Sequence, residues 1–267
     1  MKSRVAVIAL LAASRPVAAG AGEKMKAEEV IAHHLEALGT AEARAAARDV
    51  EGSCAMTPIA SVGVAGALLG RFRFDSEASR FALRMKFPSQ GYPEESFAFE
   101  GGKPEVGFVL PGKRSALGNF VSTNEVILRE GLLGGVLNGS WALLALAERG
   151  AKVSYDGLKK REGRELHRLS YRAKKGQGDL DIALFFDPDT FRHVASVYKA
   201  SHAQSLGTTM ESSSSQPDVY LQIEETFSDF KPAKGLTLPT SWTIRYETQA
   251  QVTQHWKYEL KAEKLEK

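Results

Sequence analysis

Gly131–Ala147 reads GLLGGVLNGSWALLALA, seventeen consecutive residues without a charge, set between segments that alternate apolar and polar like half-buried strands. A membrane-spanning helix needs about twenty predominantly apolar residues. This run is shorter, and Asn138, Gly139 and Ser140 interrupt it. A helix that is apolar nearly all round must bury that surface against something. In a chain rich in strands, one place for it is across the open face of a curved sheet, as a lid over an apolar interior. The alternative is an ordinary buried core helix.

Outward from this run the period is two. Phe72 and Phe74 alternate with Arg71 and Arg73, and Phe81, Leu83, Met85 and Phe87 alternate with Ala82, Arg84 and Lys86. That pattern predicts strands with an apolar inner and a polar outer face. Phe97 and Phe99 follow, then the turn Glu100-Gly101-Gly102-Lys103 into Val106–Leu110. Beyond the run, strands are expected at Lys152–Leu158 and Glu165–Arg172, around Arg161-Glu162-Gly163. Asp179–Phe186 and Phe191–Lys199 should pair about the turn Asp187-Pro188-Asp189-Thr190. Ser201–Gln216, with four consecutive serines at 212–215, reads as a loop, and Val219–Phe227, Trp242–Thr248 and His255–Leu260 as three further strands. Ahead of the first strand, Val30, Ile31, Leu35 and Leu38 recur at helical spacing within Lys24–Ala47, broken at Gly39-Thr40. The fold expected is α+β: about eleven antiparallel strands, an N-terminal helix and a central helical insertion, with no domain boundary or repeat.

The first residues have the anatomy of a secretory signal peptide. Lys2 and Arg4 supply a basic start, Val5–Ala13 an apolar stretch, and Ala18–Gly22 small residues with cleavage after Ala19 or Ala21. The expected division is a leader over 1–21 and one domain over 22–267, exported and soluble. The formal net charge of +3 falls to zero once Lys2, Arg4 and Arg15 leave with the leader. A neutral chain gives no bulk electrostatic case for nucleic acid or an anionic membrane. Cys54 is the single cysteine, so no intrachain disulfide forms, and it lies far from where a lipid-bearing cysteine would sit.

Catalytic signatures are missing. Asn138-Gly139-Ser140-Trp141-Ala142 lacks the closing glycine of a nucleophile elbow, and there is no H-E-x-x-H, cysteine metal pair, phosphate loop or dinucleotide fingerprint. His33 and His34 are adjacent and point apart on a helix, unlike the i, i+4 pair that binds metal. A non-enzymatic protein without a cofactor is expected. The inward aromatics of successive strands, such as Leu184 with Phe186 and Trp242 with Ile244 and Tyr246, share one concave face. Helices, a ligand, or both must fill it.

The chain resembles the outer-membrane lipoprotein-sorting proteins, relatives of the LolA/LolB-type periplasmic lipoprotein carriers. The resemblance lies in AEEVIAHHLEALGTAEARAAARDVEG, FAFEGGK, EGLLGGVLNGSW, ALFFDPDTFRHVASVYK and ETFSDFKPAKGLTLPTSW, and extends from about Ala27 to the end. It implies an incomplete, strongly curved β-barrel whose helical lid covers an apolar cavity for acyl chains of lipoproteins or other lipids. Leu132, Leu133, Val136, Leu137, Trp141 and Leu144 would form the lid, and Phe81, Leu83, Met85, Phe97 and Phe99 the sheet side. Carriers of this kind have an arginine, just after the strand matching Arg71–Phe74, that latches the lid. Here Asp75-Ser76-Glu77 follows instead, leaving Arg73, Arg80 and Arg84 as candidates. The partners implied are lipid or lipoprotein acyl chains in the periplasm, with room for envelope donor and acceptor proteins and for transient membrane contact. The competing reading is a structural or partner-binding envelope module with a packed, ligand-free core.

Overall fold

Strands dominate the chain because alternation dominates its sequence. The computed structural model describes residues 25–46, 48–57, 67–202, 219–248 and 251–260. The expected leader, most of the serine-rich loop and the side chains of Trp256 and Tyr258 lie outside the described parts. The strands are β1 (Arg48–Thr57), β2 (Leu68–Glu77), β3 (Arg80–Lys86), β4 (Glu94–Glu100), β5 (Lys103–Val106), β6 (Lys152–Arg161), β7 (Arg164–Arg172), β8 (Asp181–Phe186), β9 (His193–His202), β10 (Val219–Ala233), β11 (Leu236–Thr248) and β12 (Gln251–Leu260).

Their pairing is antiparallel throughout, in the order β5-β4-β3-β2-β1-β12-β11-β10-β9-β8-β7-β6. β12 thus joins a five-stranded run to a six-stranded one, and among the described residues no pairing links β5 to β6. The described sheet is not a closed barrel. Twelve strands replace the eleven expected, and β10 and β11 form a longer hairpin than the sequence suggested. Pro232 and Pro239 sit inside it, opposite Thr237 and Phe230. Prolines discourage a strand assignment, which is why this part of the hairpin was hidden.

One face of the sheet carries the core. Leu83 lies between Phe74 and Phe97 in register, and Phe81 between Ser76 and Phe99. Phe81, Leu83, Met85 and Phe97 are buried and Phe99 is half-buried, so the inward alternation is as read.

The helices are α1 (Ala27–Leu38), α2 (Ala41–Ala45), α3 (Ala116–Thr123), α4 (Val126–Arg129) and α5 (Leu146–Arg149). α1 buries Ala27, Val30, Ile31, His34 and Leu38 along one stripe and lies against β11 and β6. α3 starts where the Ser115 hydroxyl accepts the Gly118 amide, and α4 packs on β4 and β5. No helix among the described residues is long and apolar enough to cross a membrane.

Candidate ligand-binding site

The apolar run is not a helix. Between α4 and α5 the chain makes only two 3-10 turns, Gly135–Leu137 and Ala142–Leu144, joined by irregular backbone. The glycines explain the departure. Gly131 has φ +65°, and a Cβ there would lie 2.0 Å from the Ser140 carbonyl oxygen; the chain doubles back on itself and needs that closeness. Asn138 braces the fold, donating its Nδ2–H to the Leu133 carbonyl and accepting the Ser140 amide on Oδ1. The expectation of a helical lid is therefore corrected: 131–144 is a compact irregular plug.

The plug is fully inserted. Leu132, Leu133, Val136, Leu137 and Trp141 are at most 1% exposed, and Leu144 is half-buried at its end. These residues share one apolar cluster with Phe74, Phe81, Leu83, Met85 and Phe97. The structure thus brings the two predicted sets together with apolar packing between them. Phe81 also borders a polar hollow of about 410 Å³ with Asp75, Glu77 and Arg80. The other anticipated residues border neither that hollow nor a more apolar one of about 740 Å³ around Leu69, Phe72, Phe87 and Pro88.

An irregular buried segment leaves backbone groups that must find partners elsewhere, and side chains from the sheet and helices provide them. The Arg48 guanidinium, at the head of β1, donates through Nη1 to the carbonyls of Val136 (2.7 Å) and Asn138 (3.0 Å), and through Nη2 to that of Arg44. Burial lowers its pKa to about 10, so it stays charged at neutral pH. On β10, Glu225 Oε1 accepts the Gly134 amide (2.8 Å) and the Trp242 indole N–H (3.0 Å), while Oε2 accepts the Tyr198 hydroxyl (2.7 Å). The Ser76 hydroxyl accepts the Gly139 amide, and Ser140 Oγ–H donates to the Glu77 carbonyl. Arg149 donates to the carbonyls of Ser140 and Arg129.

Trp141 connects the plug to α1. Its indole N–H donates to His34 Nε2 (3.2 Å), so His34 Nδ1 carries the proton and donates to the Phe191 carbonyl (3.0 Å). Desolvation lowers the His34 pKa to about 4, which keeps the ring neutral and able to accept. Behind it lies His193, whose ring is 4.7 Å from that of Trp141 and whose pKa burial also lowers well below 6.5.

The arginines expected as latch candidates point the other way. Arg73 pairs with Asp49 and Asp75, Arg84 with Asp75, and Arg80 with Glu77, all with about half of the arginine side chain exposed. Arg48 and Glu225, the charged groups that do hold the plug, were not anticipated. Both stand at inward positions of alternating strands, Arg48 in phase with Val50 and Cys54, and Glu225 between Ile223 and Phe227. A charge at inward parity was the available signal. Among the described residues no group of three or more histidine, cysteine, aspartate or glutamate side chains is placed to hold a metal ion.

No family model and no curated protein matches this chain. Three solved structures are similar to it at 10% identity. A LolA superfamily protein from Nitrosomonas europaea matches with a TM-score of 0.48, over 89% of this chain and 92% of its own. A putative outer membrane lipoprotein-sorting protein domain from Vibrio parahaemolyticus matches with 0.44, over 87% and 90%. A DUF1329 family protein from Desulfovibrio piger matches with 0.43, over 88% and 90%. At this identity the likeness is one of chain path alone.

Proposed function

We propose that this protein is a non-enzymatic carrier of acyl chains, of lipoproteins or other lipids, and that the packed arrangement of the plug is its closed state. In this reading the sheet is an incomplete, strongly curved barrel, the plug is its lid, and the protein works in the periplasm after loss of residues 1–21. The carrying observation is how the plug is held. Its apolar side chains pack on the buried face of the sheet, and its backbone is fixed by the side chains of Arg48, Glu225, Ser76 and Arg149 as well as by the few bonds within its own two short 3-10 turns. Hydrogen bonds of this kind each contribute a net ~0.5–3 kcal/mol and exchange readily for water. An entering acyl chain offers much more: a sixteen-carbon chain buried at ~0.8 kcal/mol per methylene gives on the order of 10 kcal/mol before ordering costs. Leu132, Leu133, Val136, Leu137, Trp141 and Leu144 would leave the face, and Phe81, Leu83, Met85, Phe97 and Phe99 would line the space they vacate.

Titration with palmitate, followed by calorimetry and by amide hydrogen exchange over 131–144, tests this. Binding accompanied by loss of protection across the plug is the expected result. If palmitate fails to bind, or binds and leaves the plug protected, the lid reading falls and the packed envelope module takes its place.

A further inference from the structure

The carrier reading needs a plug that is released under some control, and the contacts of Glu225 and Tyr198 supply one. The Tyr198 hydroxyl lies 2.7 Å from Glu225 Oε2 and 3.1 Å from the Leu132 carbonyl oxygen, but it has one hydrogen to give. With Glu225 ionised, that hydrogen goes to the carboxylate, and the Leu132 carbonyl keeps only the Gly135 amide from within the plug. With Glu225 protonated, the carboxyl donates Oε2–H to the tyrosine oxygen and the tyrosine hydrogen turns to Leu132. Oε1 continues to accept the Gly134 amide in both cases. One proton from solvent therefore adds a hydrogen bond between sheet and plug, with no change in the tyrosine's own protonation.

We propose that Glu225 and Tyr198 form a proton-operated clamp on the plug, gripping Leu132 as well as Gly134 when Glu225 is protonated and slackening when it ionises. The direction follows from burial as well. Glu225 is fully buried with no cation among its described contacts, and desolvation raises its pKa from 4.5 to about 7, outweighing the hydrogen bonds from Gly134, Tyr198 and Trp242 that favour the ionised form. Opening the plug lets water reach the carboxylate and restores its ordinary acidity. The closed state thus binds the proton more tightly, and opening grows as pH rises from the ordinary carboxylate range to about 7, then levels off.

Other titratable groups nearby do not share this behaviour. Tyr198 on β9 is driven well above its usual value by burial and by Glu225. His193 on β9 faces Gly135 and His34 on α1 stands behind it; both are held neutral by burial. Arg48 on β1 stays charged, Trp242 on β11 does not titrate, and the neighbouring Glu224 on β10 pairs with Arg161 and Arg245 instead.

The test is amide exchange of residues 132–137 as a function of pH, corrected for intrinsic base catalysis, in the wild type and in Glu225→Gln. Glutamine reproduces the protonated arrangement, accepting on Oε1 and donating through Nε2. Wild-type plug opening should rise about twentyfold between about pH 5.5 and 7.5, whereas Glu225→Gln should stay closed and flat. A wild type without the step, or a Glu225→Gln variant that keeps it, overturns the clamp. Should Glu225→Gln fail to fold, Tyr198→Phe decides: plug protection on the acid side should fall to the wild-type alkaline level or below, and undiminished protection refutes the proposal. No lipid enters this measurement, so a working clamp without palmitate binding would fault the carrier reading alone.

Discussion

Arg48 shows how much one residue's direction matters. It and Arg73 are both arginines of the paired strands β1 and β2, yet Arg48 is 7% exposed and bonded to backbone, while Arg73 reaches solvent between two aspartates. Replacing Arg48 with Met should leave the Val136 and Asn138 carbonyls buried without their charged donor, at about 1–3 kcal/mol, tempered by the cost no longer paid to bury a charge. Arg73→Met should change stability by less than about 1 kcal/mol, as exposed ion pairs do. Urea denaturation of the two variants measures the contrast. Equal losses would mean that Arg48 is not a latch. Lysine at 48 should not restore stability, because a single ammonium lacks the planar fork that serves several carbonyls at once.

At the scale of the element, the plug is where sequence and structure part. The strands were legible because alternation is local: Phe81, Leu83 and Met85 point inward whatever else the chain does. α1 was legible for the same reason, through Val30, Ile31 and Leu38. The plug's conformation depends instead on groups far away in sequence, Arg48 about ninety residues before it and Glu225 about ninety after, so its apolar content alone reads as helix. Its glycines carried the contrary signal. Gly135 has φ +49°, and a Cβ there would come within 2.7 Å of His193 Nδ1 and 2.9 Å of the Phe227 ring. Gly135→Ala should therefore destabilise by roughly 2–4 kcal/mol through backbone strain and overpacking together. An ordinary helix would gain stability from the same change. The sign of the shift in the denaturation midpoint distinguishes the two.

For the whole molecule, the unusual feature is a core that buries both acids and imidazoles without pairing them to each other. Glu95, hydrogen-bonded to Ser115 and Tyr92, has its pKa raised by desolvation from 4.5 to about 8, as Glu225 has to about 7. For such acids the folded state holds protons that the unfolded chain releases. Their contribution is complete below pH 4.5 and is lost as pH rises through 7 and 8. His34 and His193 act oppositely. Their folded pKa values lie below 6.5, so their contribution is complete above that value and is lost on acidification. Each group contributes a slope of about 1.4 kcal/mol per pH unit within its own window. Between pH 4.5 and 6.5 the two slopes oppose each other. Above that range only the acids titrate, and below it only the histidines. Thermal melting should accordingly give a plateau of highest stability between about pH 4.5 and 6.5, falling towards pH 8 and again towards pH 4. A melting temperature that climbs steadily to pH 8 would show that Glu95 and Glu225 are solvated in the folded protein, and would remove the electrostatic ground for a plug held more tightly in acid.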